Sequence, residues 1–161
     1  GREERIALLY VGGIDPRKNV PFLLSILEEL HRAGRKAQLV LVGRHEKERE
    51  YPALVAEINR RGLTDDVTLA GFVSDEELPG YYRAADVVLF PSLYEGFGFP
   101  VLEAMACGVP VLAGRNSSMP ELYGSEGELL SDSDLSAWTG GILAVLDESG
   151  RREALVAHGL K

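Results

Sequence analysis

The chain has 161 residues, 45% of them hydrophobic and 26% charged, with a formal net charge of −8. This length suits one domain that buries roughly 70% of its unfolded surface in a single core. The acidic balance excludes nucleic-acid binding through a broad basic surface, while a local phosphate site, needing only one or two cations and some backbone amides, stays open. In chain order, Ile6 to Val11 is a continuous apolar run ended by Gly12-Gly13, and it reads as a buried strand. Asn19 is placed to cap a helix with Pro21 in its first turn; Leu23, Ile26, Leu27 and Leu30 follow at helical spacing and Gly34 ends it. Ala37 to Val42 reads as a second strand ending at Gly43, and a charged helix is expected over 46–61, with Leu54, Val55 and Ile58 inward.

A short third strand spans Val67 to Ala70, before a helix capped by Ser74 or Asp75. Asp86 to Phe90 is a fourth strand stopped by Pro91, and a helix from Phe99 to Ala106 leads through Gly108 to a fifth strand, Val109 to Ala113. A short helix near Pro120, a weak strand at Leu129-Leu130 and an amphipathic helix from Leu135 to Leu146 complete the pattern. Strand and helix alternate, and the strands are apolar enough to be covered on both faces. The expected fold class is therefore α/β: a doubly wound, Rossmann-like parallel sheet in three α/β/α layers. Ligands of such sheets bind outside the carboxyl ends of the strands, near the reversal of strand order.

Eighteen glycines, about 11% of the chain against an average near 7%, cluster at such strand ends. After the first strand, Gly12-Gly-Ile-Asp-Pro-Arg-Lys18 admits two readings, a tight turn with solvated charges or a phosphate site in which Lys18 meets an anion at a helix start. It is neither a Gly-x-Gly-x-x-Gly fingerprint nor a P-loop. After the fourth strand, Glu95-Gly-Phe-Gly-Phe-Pro-Val-Leu-Glu103 sets two carboxylates around a glycine-rich helix entrance. Its amides suit an anion, and its carboxylates suit the hydroxyls of a sugar or ribose. Ser117-Ser118, after the fifth strand, lies where hydroxyls can reach the same crevice, with ordinary capping as the other reading.

Asp132-Ser-Asp134 has the form of a metal motif but sits ahead of a helix, where Ser133 or Asp134 serves as a cap, so no metal is expected. His31 and His158 read as surface residues, whereas His45 follows the second strand at the ligand edge, where it can meet a nucleotide. The single cysteine, Cys107, excludes an internal disulfide or a cysteine-based zinc site and reads as core packing. No apolar run approaches the ~18 residues of a membrane span, and no signal-peptide pattern is present, which makes a cytoplasmic location the expectation. Both ends read as cut, since the first strand starts at Ile6 and Lys161 falls inside a helical pattern begun at Arg151.

Taken in order, Val11-Gly-Gly-Ile-Asp-Pro-Arg-Lys18-Asn, Leu41-Val-Gly, Gly71-Phe-Val-Ser-Asp-Glu-Glu-Leu, Ala85-Asp-Val, Pro91-Ser, the Glu95-to-Glu103 segment with Ala-Met-Ala-Cys-Gly-Val-Pro after it, and Ser117-Ser-Met-Pro-Glu121 resemble the carboxyl-terminal domain of family 4 (group 1) retaining glycosyltransferases of the GT-B fold. The resemblance covers nearly the whole chain. It implies that residues 1–161 bind a nucleoside-diphosphate sugar, without metal or cofactor, and that an amino-terminal acceptor domain lies elsewhere in the enzyme. It further implies Lys18 on the donor diphosphate with Gly12 and Gly13 beside it, and Glu95 near the sugar, the two as the catalytic residues. Gly96, Phe97 and Gly98 would lie against sugar and phosphate, Glu103 on the ribose hydroxyls, Phe72 and Val73 at the base, and Ser117 and Ser118 across the crevice. Many members carry arginine where this chain has Gly13, and Arg17 is placed to substitute. The same likeness points to hexosyl transfer in polysaccharide biosynthesis, with mannosyl donors such as GDP-mannose, by an enzyme at the cytosolic face of a membrane. The isolated domain would bind donor without transferring sugar. A nucleotide-sugar epimerase of the same architecture and a noncatalytic nucleotide-binding module are the alternatives; a receiver domain is opposed by Val-Gly-Gly and Ala-Gly-Phe at the places of its acidic residues.

Overall fold

The structure, a computed structural model, describes residues 4–93, 99–115, 129–131, 133–148 and 150–159. Among the described residues six strands form one sheet: β1 (Ile6–Val11), β2 (Ala37–Val42), β3 (Val67–Gly71), β4 (Val87–Phe90), β5 (Val111–Gly114) and β6 (Leu129–Leu130). Their order is β3-β2-β1-β4-β5-β6, and every neighbouring pair runs parallel. The expected doubly wound α/β sheet is thus observed. Strands β4 and β5 are buried along their whole length, as continuous Val-Val-Leu-Phe and Val-Leu-Ala-Gly runs require.

The order grows from β1 towards β3, then reverses as the chain crosses to β4. Right-handed crossovers then place the two sets of helices on opposite faces. On one face α1 (Val20–Arg32) packs against α2 (Tyr51–Arg60) and α5 (Leu135–Asp147); on the other α4 (Phe99–Ala106) packs against α3 (Leu78–Ala84) and α6 (Arg151–Gly159). Helix α1 buries Val20, Leu23, Leu24, Ile26, Leu27 and Leu30, each contributing on the order of 1.5–3 kcal/mol by leaving water. It ends as the sequence suggests, with Gly34 at φ +80 and Arg35 N–H donating to Leu30 O.

Helix α5 carries Gly140-Gly141 in its interior, which weakens a helix by about 1 kcal/mol per residue. At Gly141 the compensation is close approach: a Cβ there would lie 3.2 Å from Leu112 Cδ1 of β5. One turn before, Trp138 is fully buried, meets Phe22 edge-on at 5.8 Å, and donates its indole N–H to Ser131 O at 2.8 Å. Trp138→Phe keeps an aromatic ring but removes that bond and part of the buried ring, leaving Ser131 O with the backbone N–H of Asp134 at 3.3 Å. The expected cost is about 2 kcal/mol, read as a lower urea midpoint at unchanged slope; an unchanged midpoint would mean the indole N–H adds nothing.

Several local expectations are corrected. The stretch 46–61 is not one helix: His45–Lys47 forms a 3-10 turn, Glu48 is extended, and α2 starts only at Tyr51. Pro52 explains the break, because it lacks an N–H and tolerates only the first turn of a helix. Val55 is consequently half-buried beside the buried Leu54 and Ile58. Asn19 precedes α1 but adopts the left-handed conformation (φ +58) with no side-chain cap bond. Ser74 Oγ accepts from Glu77 N–H in a turn before α3 rather than at the helix start, whose cap position is Glu77. Strand β5 begins at Val111, since Pro110 can accept, from Val88 N–H, but cannot donate. His31 is half-buried with Nε2 3.1 Å from Ala37 O. Asp134 caps α5 through Ala137 N–H, as expected. The helix near Pro120, Asp132 and the His158 side chain lie outside what is described.

Candidate functional site

The reversal of strand order lies between β1 and β4, so the crevice expected for a ligand opens between the loops that follow them. Hydrogen bonds among the described residues join these loops across the crevice. Leu93 N–H donates to Arg17 O at 2.7 Å, and Asn19 Nδ2 donates to Pro91 O at 3.2 Å. This second bond is why Asn19 does not cap its own helix. The loop holding Lys18 is thereby tied to the chain two residues before Glu95.

At the carboxyl edge, β1, β2 and β3 end side by side in Gly12, Gly43 and Gly71. Gly12 N–H donates to Val42 O and Gly43 N–H to Gly71 O. Three side chains from elsewhere then pin three successive residues of the first loop. His45 Nε2 lies 2.7 Å from Gly12 O and must donate there, Tyr10 hydroxyl donates to Gly13 O at 2.6 Å, and Glu48 Oε2 accepts from Ile14 N–H at 2.7 Å. His45 is 1% exposed, so it supports the loop from within. This corrects the expectation that it meets a nucleotide. Gly43 is the tightest point, because a Cβ there would fall 2.5 Å from His45 Nε2 and 2.6 Å from Gly12 O.

Gly13 stands where arginine was expected from the family pattern, and a Cβ there would lie 3.2 Å from the Glu48 carboxylate. Downstream, Asp15 caps the 3-10 turn Pro16–Lys18 by accepting from Arg17 N–H, and it also accepts from Arg17 Nε at 2.9 Å. The side-chain hydrogen bond from Arg17 is the main reason the Asp15 carboxyl is held below its usual range. Arg17 is exposed and Lys18, the last residue of the turn, is half-buried at the entrance to α1.

Beyond β3, Phe72 is 62% exposed, with the Arg44 guanidinium 4.3 Å above its ring, while Val73 is buried. An apolar ring kept in solvent beneath a cation is a ready stacking surface. On α4, Glu103 is exposed and accepts from the hydroxyl of buried Tyr82 at 3.0 Å. Burial first, and then the Glu103 carboxylate, push the Tyr82 hydroxyl above its ordinary range, so it remains a donor. Both residues line a concavity of about 350 Å³ together with Asp75, Leu78 and Cys107. Cys107 is a half-buried free thiol packed against the core, as expected. A second concavity, of about 310 Å³, lies between the first loop and α2; its walls are mainly apolar, including Ile14, Val20 and Leu54.

Glu95, Gly96, Phe97, Gly98, Ser117 and Ser118 lie outside the described residues. Among the described residues, Gly12, Gly13, Arg17 and Lys18 share one braced loop, Phe72 and Val73 follow the neighbouring strand edge, and Glu103 sits on the helix after β4. The sequence reading missed Tyr10, Glu48 and Tyr82. Tyr10 and Tyr82 sit in apolar patterns that hide a polar tip, and Glu48 lies in a charge run that resembles a solvated helix.

Comparison with known proteins agrees with this geometry. Residues 5–148 match the family described as glycosyl transferases group 1. O-antigen chain mannosyltransferase B of Escherichia coli is 38% identical over 154 residues, covering 94% of this chain and 40% of the relative. An MMP alpha-(1->4)-mannosyltransferase of Mycolicibacterium hassiacum is 36% identical over 152 residues, covering 87% and 36%. The chain thus spans about two fifths of the length of these relatives. Among solved structures, sucrose-phosphate synthase from Thermosynechococcus elongatus superposes with a TM-score of 0.84 at 31% identity, over 95% of this chain and 39% of that one. Anabaena HepE, crystallised with UDP and glucose, also gives 0.84, at 25% identity over 97% and 42%. With a family match over most of its length and a parallel sheet whose first and fourth strands open the crevice, the chain belongs to the group 1 glycosyltransferases.

Proposed function

We propose that residues 1–161 are the donor-binding domain of a two-domain, GT-B retaining glycosyltransferase that moves a hexose from a nucleoside-diphosphate sugar to an acceptor hydroxyl. The observation that carries this reading is the bond from Leu93 N–H to Arg17 O, which ties the Lys18 loop to the segment leading into Glu95 at the reversal of strand order. In this reading Lys18, with Gly12 and Gly13 allowing close approach, neutralises the donor diphosphate, and Arg17 adds charge at the rim. Glu95 and Gly96 to Gly98 hold the sugar and its phosphate, assisted by Ser117 and Ser118. Glu103 accepts from the ribose hydroxyls, and the Phe72-Val73 segment meets the base, with the exposed ring of Phe72 and the backbone of buried Val73.

Sugar transfer needs the departing diphosphate stabilised as its bond to the anomeric carbon breaks. A fixed ammonium and amide dipoles at the start of α4 supply that stabilisation by preorganised electrostatics. The acceptor would be presented by an amino-terminal domain of the whole enzyme, so this chain alone is expected to bind donor without transferring sugar. The names of the two mannosyltransferase relatives support a mannosyl donor, and we read the whole enzyme as working in the cytoplasm, at the cytosolic face of a membrane.

Calorimetric titration with GDP, UDP and ADP, each with and without its sugar, tests the reading; affinities all weaker than about 1 mM would reject it. Glu103→Ala is expected to weaken binding of the preferred nucleotide roughly tenfold, the scale of one hydrogen bond to a charged group. Unchanged affinity would remove the ribose assignment and leave the diphosphate assignment standing.

A further inference from the structure

We propose that Tyr82 is the positioning residue for the Glu103 carboxylate, and that through it this chain distinguishes ribose from 2′-deoxyribose in the nucleotide it binds. The inference rests on the assignment of Glu103 to the ribose.

Glu103 lies on an exposed face of α4, where a glutamate samples several rotamers and loses that freedom when it grips a ligand. Tyr82 removes part of this cost before the ligand arrives. Its ring is 1% exposed, wedged where α3 packs on α4, so the hydroxyl has almost no freedom of its own. That hydroxyl donates to Glu103 Oε2 at 3.0 Å, across 21 positions of sequence. A tyrosine O–H supplies one donor, and a carboxylate accepts at about four lone-pair sites. Holding Oε2 once therefore leaves Oε1 and part of Oε2 for a vicinal diol. The carboxylate stays accessible from the concavity of about 350 Å³ that it shares with Tyr82. With its plane and distance preset, it rewards a sugar that presents two hydroxyls more than one that presents a single hydroxyl.

Purely structural packing predicts something different. If the hydroxyl only satisfies its own burial, its loss lowers stability and shifts the affinity of all nucleotides equally. The discriminating readout is thus a ratio. The nucleoside diphosphate that binds most tightly among GDP, UDP and ADP is titrated beside its 2′-deoxy counterpart into the parent chain, Tyr82→Phe, Glu103→Ala and the double variant, with circular dichroism and thermal midpoints confirming the fold of each. The parent is expected to prefer the ribonucleotide roughly tenfold. Tyr82→Phe should reduce the preference to about two- or threefold, Glu103→Ala should abolish it, and Tyr82→Phe should have no further effect on the ratio once Glu103 is absent. A Tyr82→Phe chain that keeps the parent ratio, whatever its absolute affinities, overturns the proposal while the ribose reading survives. A parent chain without preference, or without binding, overturns the ribose or donor reading itself and this proposal with it. The parent measurement alone identifies that case.

Discussion

Lys18→Ala is expected to weaken nucleoside diphosphate binding on the order of 30- to 100-fold while leaving the thermal midpoint close to the parent's. The size follows from losing a charge-assisted contact of about 2–3 kcal/mol to a phosphate. The selectivity follows from position. Lys18 ends the 3-10 turn through its backbone, with its N–H on Asp15 O, and none of the three residues of that turn is buried in the core. Arg17 gives the internal contrast. Its guanidinium is bonded to the Asp15 carboxylate, so part of its charge is already spent on the turn that presents Lys18. Arg17→Ala should therefore cost threefold or less, and a loss matching that of Lys18→Ala would show that Arg17 replaces the arginine absent at position 13. Calorimetric titration at two salt concentrations checks both variants, and a Lys18→Ala chain that binds like the parent would refute the diphosphate assignment.

Gly43→Ala tests the scaffold beneath the same loop. Its φ of +154 is disfavoured for L side chains, and the added Cβ would meet His45 Nε2 at 2.5 Å and Gly12 O at 2.6 Å. Neither neighbour can retreat cheaply. His45 is 1% exposed, in a turn that packs against β3 and α2, and Gly12 O is backbone held by His45 itself. The expected cost is about 3 kcal/mol, the sum of a strained backbone and an overpacked contact, seen as a lower urea midpoint. Any folded fraction should also bind nucleotide at least tenfold more weakly, because relief of the clash moves Gly12 and with it the loop that presents Lys18. A variant of parental stability would show that the β1–β2 edge yields more than its packing suggests.

Much of the fold was legible in the sequence because its causes are local. Ile6–Val11, Ala37–Val42 apart from the exposed Gln38, and Val87–Phe90 are apolar on both faces, which announces strands covered by helices on each side. Helix α1 was legible from the spacing of Leu23, Ile26, Leu27 and Leu30 and from the stop at Gly34. The segment 46–61 was misread because a run of alternating charges carries no apolar period until Leu54. Pro52 limits the helix, and it stands beside that charge run. Asn19 was misread for the opposite reason. It is a good capping residue by type, but a partner 72 positions away, Pro91 O, takes its side chain.

The residue pattern alone pointed to a parallel α/β sheet and to glycine-rich loops at strand ends, because periodicity, apolar content and the φ freedom of glycine act between near neighbours, while the family rested on the likeness of its ordered motifs. Strand order, the brace between the loops after β1 and β4, and the offices of Tyr10, His45, Glu48 and Tyr82 emerged only in three dimensions. His45 reaches Gly12 over 33 positions, Glu48 reaches Ile14 over 34, and Tyr82 reaches Glu103 over 21. Such bonds form because burial removes water from one partner and leaves the other as the nearest donor or acceptor. That condition is a property of the packed molecule, and no local pattern of residue types carries it.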